Sequence, residues 1–479
     1  MEKILIRGVN WVGDCIMSIP AIRGIRKLHP EANISILLKD KVSEIFKWEN
    51  SINELIIYKN GINNKIKLIK DLREKGFKRA YLLQNAFDAA LITALARIPE
   101  RVGYARDLRG FLLTHSISYK KQDRKIHHID YFFEIPKKFN PSLKPGFPFL
   151  NIPLEEKIKA RQKLNSLRSP ILAVAVGAKY GITKRWETEK FIKIIEKFIE
   201  RYGSVILVGE KGESINFTHE AVVDLTGKTS LSELISIISE CDLLLCNDSG
   251  VMHIGYATGT PLVAIFGSTS PDLTGPPKGT GRVVKSTVNC SPCFKRSCSD
   301  IKCMKTIDVD EVWNALEDIL PKSKAIFFDR DGTLCKDANY LSNWKDFEVY
   351  PEVEQLKKLK DLGFLLIGVT NQSGIARGLI REDFVNEVNR YFIEKYGFDD
   401  FFYCPHHPDE GCFCRKPNPA MAILARYKYK IDFKQSFVVG DKETDLKMAE
   451  MIGAKGVQIG KDARNLKEVI EIIKRSVNA

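Results

Sequence analysis

The sequence predicts a parallel α/β protein built from three domains, and three observations carry that prediction. The chain has 479 residues, too many for one core when a domain takes roughly 100 to 200. From residue 3 onward, short apolar runs alternate with amphipathic segments, as in Ile4 to Ile6, Ala21 to Leu28 and Ile34 to Leu38, the rhythm of strand, helix, strand in a parallel sheet. Two breaks interrupt it: Asn140-Pro141-Ser142-Leu143-Lys144-Pro145-Gly146-Phe147-Pro148 and Pro321-Lys322-Ser323, rich in residues that end regular structure. The expected domains are residues 1–150, 151–320 and 324–479.

Taken in order, the pattern restarts after the first break at Ile171-Leu172-Ala173-Val174-Ala175-Val176, a run apolar enough to be buried on both faces. The second domain closes on the amphipathic segment Val309 to Leu320, and the third opens with the strand Ala325-Ile326-Phe327-Phe328. No heptad, internal repeat or low-complexity tract is visible. With 44% hydrophobic and 28% charged residues the composition is that of a globular protein, and no apolar run approaches the roughly 20 residues of a membrane span. Met1-Glu2-Lys3 leads straight into a strand, without the apolar core of a signal peptide, so the expected location is cytoplasmic. The net charge of +14 favours anionic partners: phosphorylated small molecules, an anionic membrane surface or nucleic acid. The basic residues are dispersed rather than gathered in an arm, which speaks against nucleic acid. Eleven cysteines, seven of them in two tight clusters, suit metal binding or reduced thiols better than a disulfide framework.

The third domain carries the strongest chemical signal. Its first strand ends in Asp329-Arg330-Asp331-Gly332-Thr333, placing two carboxylates at the carboxyl edge of a parallel sheet, where one can attack while the other handles protons. A second strand, Leu365-Leu366-Ile367-Gly368-Val369, delivers Thr370-Asn371-Gln372-Ser373 to that edge. Arg415-Lys416 can neutralise phosphate charge, and a third strand, Phe437-Val438-Val439, ends in Gly440-Asp441-Lys442-Glu443-Thr444-Asp445, adding carboxylates for a Mg²⁺ site. Taken singly, Asp-x-Asp-Gly-Thr is as well read as a turn and Thr370 as a strand cap; the ordered set of four is not. Cys404-Pro405-His406 followed by Cys412-Phe413-Cys414 offers three thiolates and an imidazole, enough for a tetrahedral Zn²⁺ site, with His407 a bystander.

This set resembles the haloacid dehalogenase (HAD) phosphatases, and within them the heptose-1,7-bisphosphate 7-phosphatases. The resemblance implies a capless HAD-like Rossmannoid domain with a zinc loop. It implies Asp329 as the nucleophile that forms an aspartyl-phosphate and Asp331 as general acid/base. Mg²⁺ is implied on the Asp329 carboxylate, the Asp331 backbone carbonyl and Asp441, with Lys416 steadying the phosphoryl group. Substrate contacts are implied at Asp337, Tyr340, Thr370, Asn371, Gln372, Ser373, Arg415 and Lys442, and a structural Zn²⁺ on Cys404, His406, Cys412 and Cys414. The histidinol-phosphate phosphatases are similar through the same motifs; Ser373-Gly374-Ile375-Ala376-Arg377-Gly378 matches the heptose enzymes better.

The first two domains show paired α/β halves and no metal-binding Asp-x-Asp of their own, which suits a two-lobed transferase whose cleft meets leaving-group charge with protein groups. Four motifs stand out: Asn10-Trp11-Val12-Gly13-Asp14, Lys184-Arg185-Trp186, Asn247-Asp248-Ser249-Gly250-Val251-Met252-His253, and Phe266-Gly267-Ser268-Thr269. Asp14, after a glycine, can face the cleft and deprotonate a hydroxyl, although alone it reads as a helix N-cap. Asp248-Ser249-Gly250 precedes a helical segment whose N–H groups can receive a diphosphate, with Lys184 adding charge. Alone, His253 is a core histidine. The segment is similar to the lipopolysaccharide heptosyltransferases, the type II enzymes in particular, and the resemblance implies a GT-B-like pair of Rossmann-like domains and inverting transfer from ADP-heptose. It further implies Asp14 as base and Lys184, Asp248, Ser249, Gly250 and His253 at the nucleotide-sugar. One departure is visible: in Leu83-Gln84-Asn85-Ala86-Phe87-Asp88, Ala86 stands where those enzymes commonly have serine and Asp88 where they often have a basic residue. Cys290, Cys293, Cys298 and Cys303 have the spacing of a second four-thiolate site, with reduced structural cysteines the alternative.

Together these expectations describe a bifunctional enzyme of lipopolysaccharide core synthesis. Its partners would be ADP-heptose, heptose bisphosphate and a lipid-linked core acceptor, at a membrane surface that the positive charge suits. A zinc-ribbon nucleic-acid binder would need basic and aromatic residues around both cysteine clusters; Phe294, Lys295 and Arg296 supply them at one, but Asp409 and Glu410 make the other acidic. A scaffold with an inactive transferase half would not need to retain Asp14, Lys184 and Asp248.

Overall fold

Three parallel sheets organise the chain in the computed structural model, which describes residues 1–119 and 125–478. The first has six strands in the order β3-β2-β1-β4-β5-β6: Glu54–Tyr58, Asn33–Lys39, Lys3–Arg7, Arg79–Leu82, Glu100–Tyr104 and His115–Ile117. The second repeats that order in mirror listing, β12-β11-β10-β7-β8-β9: Gly281–Lys285, Leu262–Phe266, Leu243–Asn247, Ile171–Ala175, Ser204–Leu207 and Val222–Asp224. The third has five strands, β15-β14-β13-β16-β17: Asp400–Cys404, Phe364–Asn371, Lys324–Phe328, Phe437–Gly440 and Lys455–Gln458.

In each sheet the strand order reverses beside its first strand, between β1 and β4, β7 and β10, and β13 and β16. A crevice opens at the carboxyl ends of such a pair, because the following connections leave in opposite directions. Register then decides which residues reach it. Arg7 lies beside Leu82, Ala175 beside Cys246, and Phe328 beside both Gly368 and Val439, so the loops after each pair emerge level with one another.

The strands are fully buried where the sequence is continuously apolar: every residue of β7, β10 and β11 is buried, the mark of a sheet covered on both faces. The helices show the complementary stripe. In Thr188–Arg201 the buried residues are Phe191, Ile194, Ile195 and Phe198, spaced to share one face.

The chain divides into two compact units, Met1–Ile319 and Leu320–Ala479. The sequence expects a boundary at the proline-rich stretch near residue 145, yet both flanking sheets belong to the first unit. One apolar core runs through both, joining Ile4, Ile34 and Tyr81 to Ala173, Leu244 and Phe266. The stretch is stitched into that core at its end: Leu150 N–H donates to the Ala257 carbonyl (2.8 Å), Arg23 Nη2 donates to the Phe149 carbonyl (2.8 Å), and Phe147 meets Tyr256 edge to face.

Candidate active sites

The crevices of the first two sheets form one cleft of about 720 Å³ within the first unit. Asp14 lines it from the first turn of helix Val12–Leu28. The cap of that helix is Trp11, which makes no side-chain hydrogen bond to it, so Asp14 is not the N-cap that its position after a glycine suggests. Its side chain is 31% exposed, and His128 Nδ1 lies 3.8 Å from it. Gly13 is required by close approach: a Cβ there would stand 2.6 Å from His253 Cδ2. His253 itself is buried, with Nδ1 2.8 Å from the Tyr256 hydroxyl. Burial lowers its pKa to about 3, so it packs this helix against Gly250–Thr258 as a neutral ring.

Opposite Asp14, the motifs of the second sheet fold into one assembly. Asn247 accepts the Trp186 N–H (3.0 Å) and donates to the Val176 carbonyl (2.8 Å), tying the loop after β7 to the end of β10. That brings Lys184 Nζ to 2.5 Å from Asp248 Oδ2, and Thr269 Oγ1 donates to the same oxygen at 2.6 Å. Ser249 caps helix Gly250–Thr258 with extended backbone but makes no capping bond, and its buried Oγ has no hydrogen-bond partner among the described residues. Two more cleft-lining atoms share that condition, Asn10 Oδ1 and Gln84 Oε1. Buried polar atoms are rarely left so, and three around one cleft mark where a polar ligand completes the bonding.

Sequence reasoning missed what holds the wall of the cleft on the first sheet's side. Arg109, fully buried, donates Nε to the Tyr104 carbonyl (2.9 Å) and Nη2 to Asn85 Oδ1 (3.1 Å), and Nη1 bonds the Gln84 carbonyl. It sets Gln84 and Asn85 in the cleft wall, and Asn85 Nδ2 donates to the Tyr131 hydroxyl (2.8 Å). An arginine in a loop gives no sequence signal of burial. Asp88 turns instead to Tyr58 (3.3 Å) and Lys65 (3.4 Å), so the departures at Ala86 and Asp88 fall outside the cleft lining.

The third sheet gathers its motifs more tightly. Lys416, buried, places Nζ 2.7 Å from Asp329 Oδ1, 2.7 Å from Asp445 Oδ1 and 2.8 Å from the Val369 carbonyl. Burial pushes the Asp329 carboxyl above its ordinary range despite Lys416. Burial works on Asp331 in the same direction, but the Arg330 guanidinium, both of whose contacts are 3.1 Å, and the Gln372 amide at 2.6 Å outweigh it and hold that carboxyl below its ordinary range. Arg330 is in turn fixed by Asn389 (3.1 Å). Gln372 also donates to Thr370 Oγ1 (2.9 Å), and Asn371 accepts the Lys416 N–H (3.0 Å). Carboxylate oxygens of Asp329, Asp441 and Asp445 lie within 4.8 Å of one another; Asp445, in the first turn of helix Glu443–Ile452, is the last of the carboxylates that the motif after β16 offers. At the rim, Lys442 Nζ lies 3.2 Å from Asp337 Oδ2 and Arg377 stands 6.0 Å over the Tyr340 ring. Ser373 is buried. Arg415 Nη1 and Asp441 Oδ1 are buried without hydrogen-bond partners among the described residues.

Beside this site Cys404, His406, Cys412 and Cys414 also converge within 4.8 Å. Cys404 and Cys412 Sγ are 3.4 Å apart, Cys412 and Cys414 Sγ 3.7 Å, and His406 Nδ1 is 3.1 Å from Cys414 Sγ. His407 lies outside, accepting the Asp409 N–H as a helix cap. Cys290, Cys293, Cys298 and Cys303 form no such group among the described residues. Their segment is held by its backbone to the neighbouring loops, leaving Cys290 exposed and Cys303 buried.

Residues 65–304 match the family model described as glycosyltransferase family 9 (heptosyltransferase). The chain belongs to that family. Residues 413–475 match the model described as HAD-hydrolase-like. The family 9 region is similar to lipopolysaccharide heptosyltransferase 2 of Escherichia coli, 29% identical over 308 residues that cover 59% of this chain and 88% of that protein. The solved structure of E. coli ADP-heptose lipopolysaccharide heptosyltransferase II shares its fold with a TM-score of 0.58 and 25% identity, covering 66% of this chain and 98% of that one. The second unit is similar to the D-glycero-alpha-D-manno-heptose-1,7-bisphosphate 7-phosphatase of Photorhabdus laumondii, 43% identical over 145 residues, 28% of this chain and 79% of that protein. This family 9 chain is therefore a bifunctional enzyme, a GT-B-like glycosyltransferase joined to a HAD-type phosphatase.

Proposed function

We propose that the chain serves lipopolysaccharide core synthesis twice. Its first unit transfers heptose from ADP-heptose to a lipid-linked core acceptor, with residues 1–150 holding the acceptor and 151–320 the nucleotide-sugar; residues 324–479 remove the 7-phosphate from D-glycero-D-manno-heptose 1,7-bisphosphate. The observation that carries this reading is the presence, on one chain, of regions similar to two enzymes that both handle this seven-carbon sugar.

In the transfer, Asp14 takes the proton of the acceptor hydroxyl as that oxygen bonds to the anomeric carbon and the bond to the diphosphate breaks. The charge released on the diphosphate meets Lys184, the first N–H groups of helix Gly250–Thr258 and the Ser249 hydroxyl. Because Asp248 pairs with Lys184, the diphosphate must compete for that cation, which favours its stronger charge as it leaves.

In the phosphatase, Asp329 attacks phosphorus and the bond to the sugar oxygen breaks, Asp331 supplying that oxygen with a proton. Water then attacks the aspartyl-phosphate, Asp331 taking its proton. The ionised state in which Arg330 and Gln372 hold Asp331 suits this second half. Mg²⁺, which HAD chemistry implies, fits Asp329, Asp441 and the Asp331 carbonyl, since Asp441 Oδ1 is buried with no other partner; when bound it would screen nucleophile from phosphate. Asp337, Tyr340, Asn371, Arg415 and Lys442 would contact the sugar and its second phosphate. The Cys404 group fits Zn²⁺: a tetrahedral site with Zn–S near 2.3 Å has sulfur–sulfur edges of about 3.8 Å, close to the separations present. Zinc there would hold the loop whose next residues are Arg415 and Lys416.

No helix among the described residues is long and apolar enough to cross a membrane, and the +14 charge suits work at the cytoplasmic face of an anionic membrane. The test is phosphate release with Mg²⁺ from heptose 1,7-bisphosphate and from histidinol phosphate, with Asp329→Ala as control, alongside ADP release from ADP-heptose with a core acceptor. Preference for the bisphosphate and acceptor-dependent ADP release are expected; preference for histidinol phosphate would detach the second unit from this reading.

A further inference from the structure

We propose that Arg296 binds the diphosphate of the donor nucleotide, and that the cysteine-rich segment is the strap that holds it there. The inference rests on the reading of the cleft as a nucleotide-sugar site, and it starts from residues that reading does not use.

Residues 290–303 are not a loose insertion. Phe294 N–H donates to the Ser268 carbonyl (2.7 Å) and Ser291 Oγ to the Gly267 carbonyl (2.6 Å). From the other side, the Tyr180 hydroxyl donates to the Phe294 carbonyl (2.7 Å) and Thr183 Oγ1 to the Lys295 carbonyl (2.6 Å). Gly181 is needed for the approach, since a Cβ there would lie 2.1 Å from the Arg296 carbonyl oxygen. Four hydrogen bonds and one backbone contact thus bind the strap to the loops that carry Lys184 and Thr269, the loops that build the donor side of the cleft.

The strap delivers Phe294 and Arg296 to the cleft lining. Arg296 Cζ stands 5.1 Å from the Tyr180 ring centroid, and Lys184 Nζ stands 4.7 Å from the same ring. Two cations on one aromatic ring repel each other, and that arrangement is stabilised when an anion joins them. The charge balance points the same way. Of the cations lining the cleft from the second sheet's half, Lys179 pairs with Glu210 and Lys184 with Asp248. Arg296 has no carboxylate partner among the described residues. A guanidinium fork without a carboxylate partner among the described residues, carried into the cleft lining on a segment anchored by these bonds, matches two oxygens of a diphosphate.

The test uses the full chain and calorimetric titration with ADP and with adenosine. Arg296→Ala is expected to weaken ADP by about 10- to 100-fold, the loss of charge-assisted hydrogen bonds, and to leave adenosine within about twofold. Arg296→Lys, which keeps charge without the fork, is expected to fall between, and ADP affinity of the wild type to decline more steeply with salt than that of Arg296→Ala. Equal ADP binding by Arg296→Ala and wild type would overturn the inference and leave the donor reading intact. Parallel loss of ADP and adenosine would also overturn it, showing a strap that only shapes the cleft. A wild type that binds no ADP would overturn the donor reading, and this inference with it.

Discussion

Asp329 and Asp14 both sit at the carboxyl edge of a parallel sheet, each next to the first strand, yet their surroundings differ. Asp329 is buried against Lys416, which also holds Asp445, and Asp331 is gripped by Arg330 and Gln372. Asp14 is 31% exposed, with the His128 imidazole 3.8 Å away, while Asn10, Gln84 and Ser249 in the same cleft lining keep buried polar atoms without a hydrogen-bond partner among the described residues. The contrast suits the chemistry proposed for each site. If Asp329 attacks phosphorus, its charge needs fixed neighbours in a dry site, and Lys416 is the counter-cation built in beside it. If Asp14 receives a hydroxyl from a bulky acceptor, it must stay reachable, with part of its site completed by the two substrates.

Substitutions can break that contrast, beginning with the largest effect. Asp329→Asn should lower phosphate release by at least about 10³-fold, since no covalent intermediate can form, while acceptor-dependent ADP release stays at wild-type rate. Asp14→Ala should lower transfer by about 10²-fold or more with ADP affinity unchanged in titration; a change in affinity instead would mean that Asp14 holds the donor rather than activates the acceptor. Lys416→Met leaves two buried carboxylates facing each other without their cation and should cost the second unit about 3–5 kcal/mol, read by urea unfolding. A strong chelator should strip about one zinc per chain and lower the melting temperature of the second unit, with metal content measured in parallel.

The smallest effect concerns pH. The folded pKa of His253 is about 3 against an ordinary 6.5, so the neutral ring's contribution is fully present above 6.5 and is lost as pH falls from there toward 3. Each pH unit in that window costs up to about 1.4 kcal/mol. His253→Gln should flatten the acid limb of the first unit's stability by that slope, measured by chemical unfolding across the window. An unchanged slope would mean that His253 takes up a proton without loss of packing.

Much of the phosphatase site was legible in the sequence because its members sit at strand ends in short, fixed spacings. Asp329 and Asp331 follow β13, Thr370 and Asn371 end β14, and Asp441 follows β16; parallel register then has little freedom but to bring them together. The Cys404 to Cys414 group was legible for the same reason, with four ligands inside eleven positions. The transferase cleft was only partly legible. Lys184, Asp248 and Ser249 stood out through motifs, and Gln84 and Asn85 fell in a stretch compared with the heptosyltransferases, but Arg109, which holds both of them in the cleft wall, lies in a loop that nothing local distinguishes from the surface. For the cysteines from 290 to 303 the spacing left a metal site and reduced structural cysteines both open, and what it did not show is that the segment is bonded to residues 180–183 and 267.

By itself, the sequence determined the parallel α/β layering, the carboxylates at the strand ends and the two enzyme classes, because strand periodicity and motifs at strand ends are local properties that survive in any fold of that class. Tertiary structure alone decided that the first two sheets share one core, that Asp14 and Lys184 line a common cleft, and that Asp331 is held by Arg330 while Asp329 is held by Lys416. Those outcomes depend on which distant side chains are driven together by burial and on which charges must then be paired, and that choice is made only when the sheets pack.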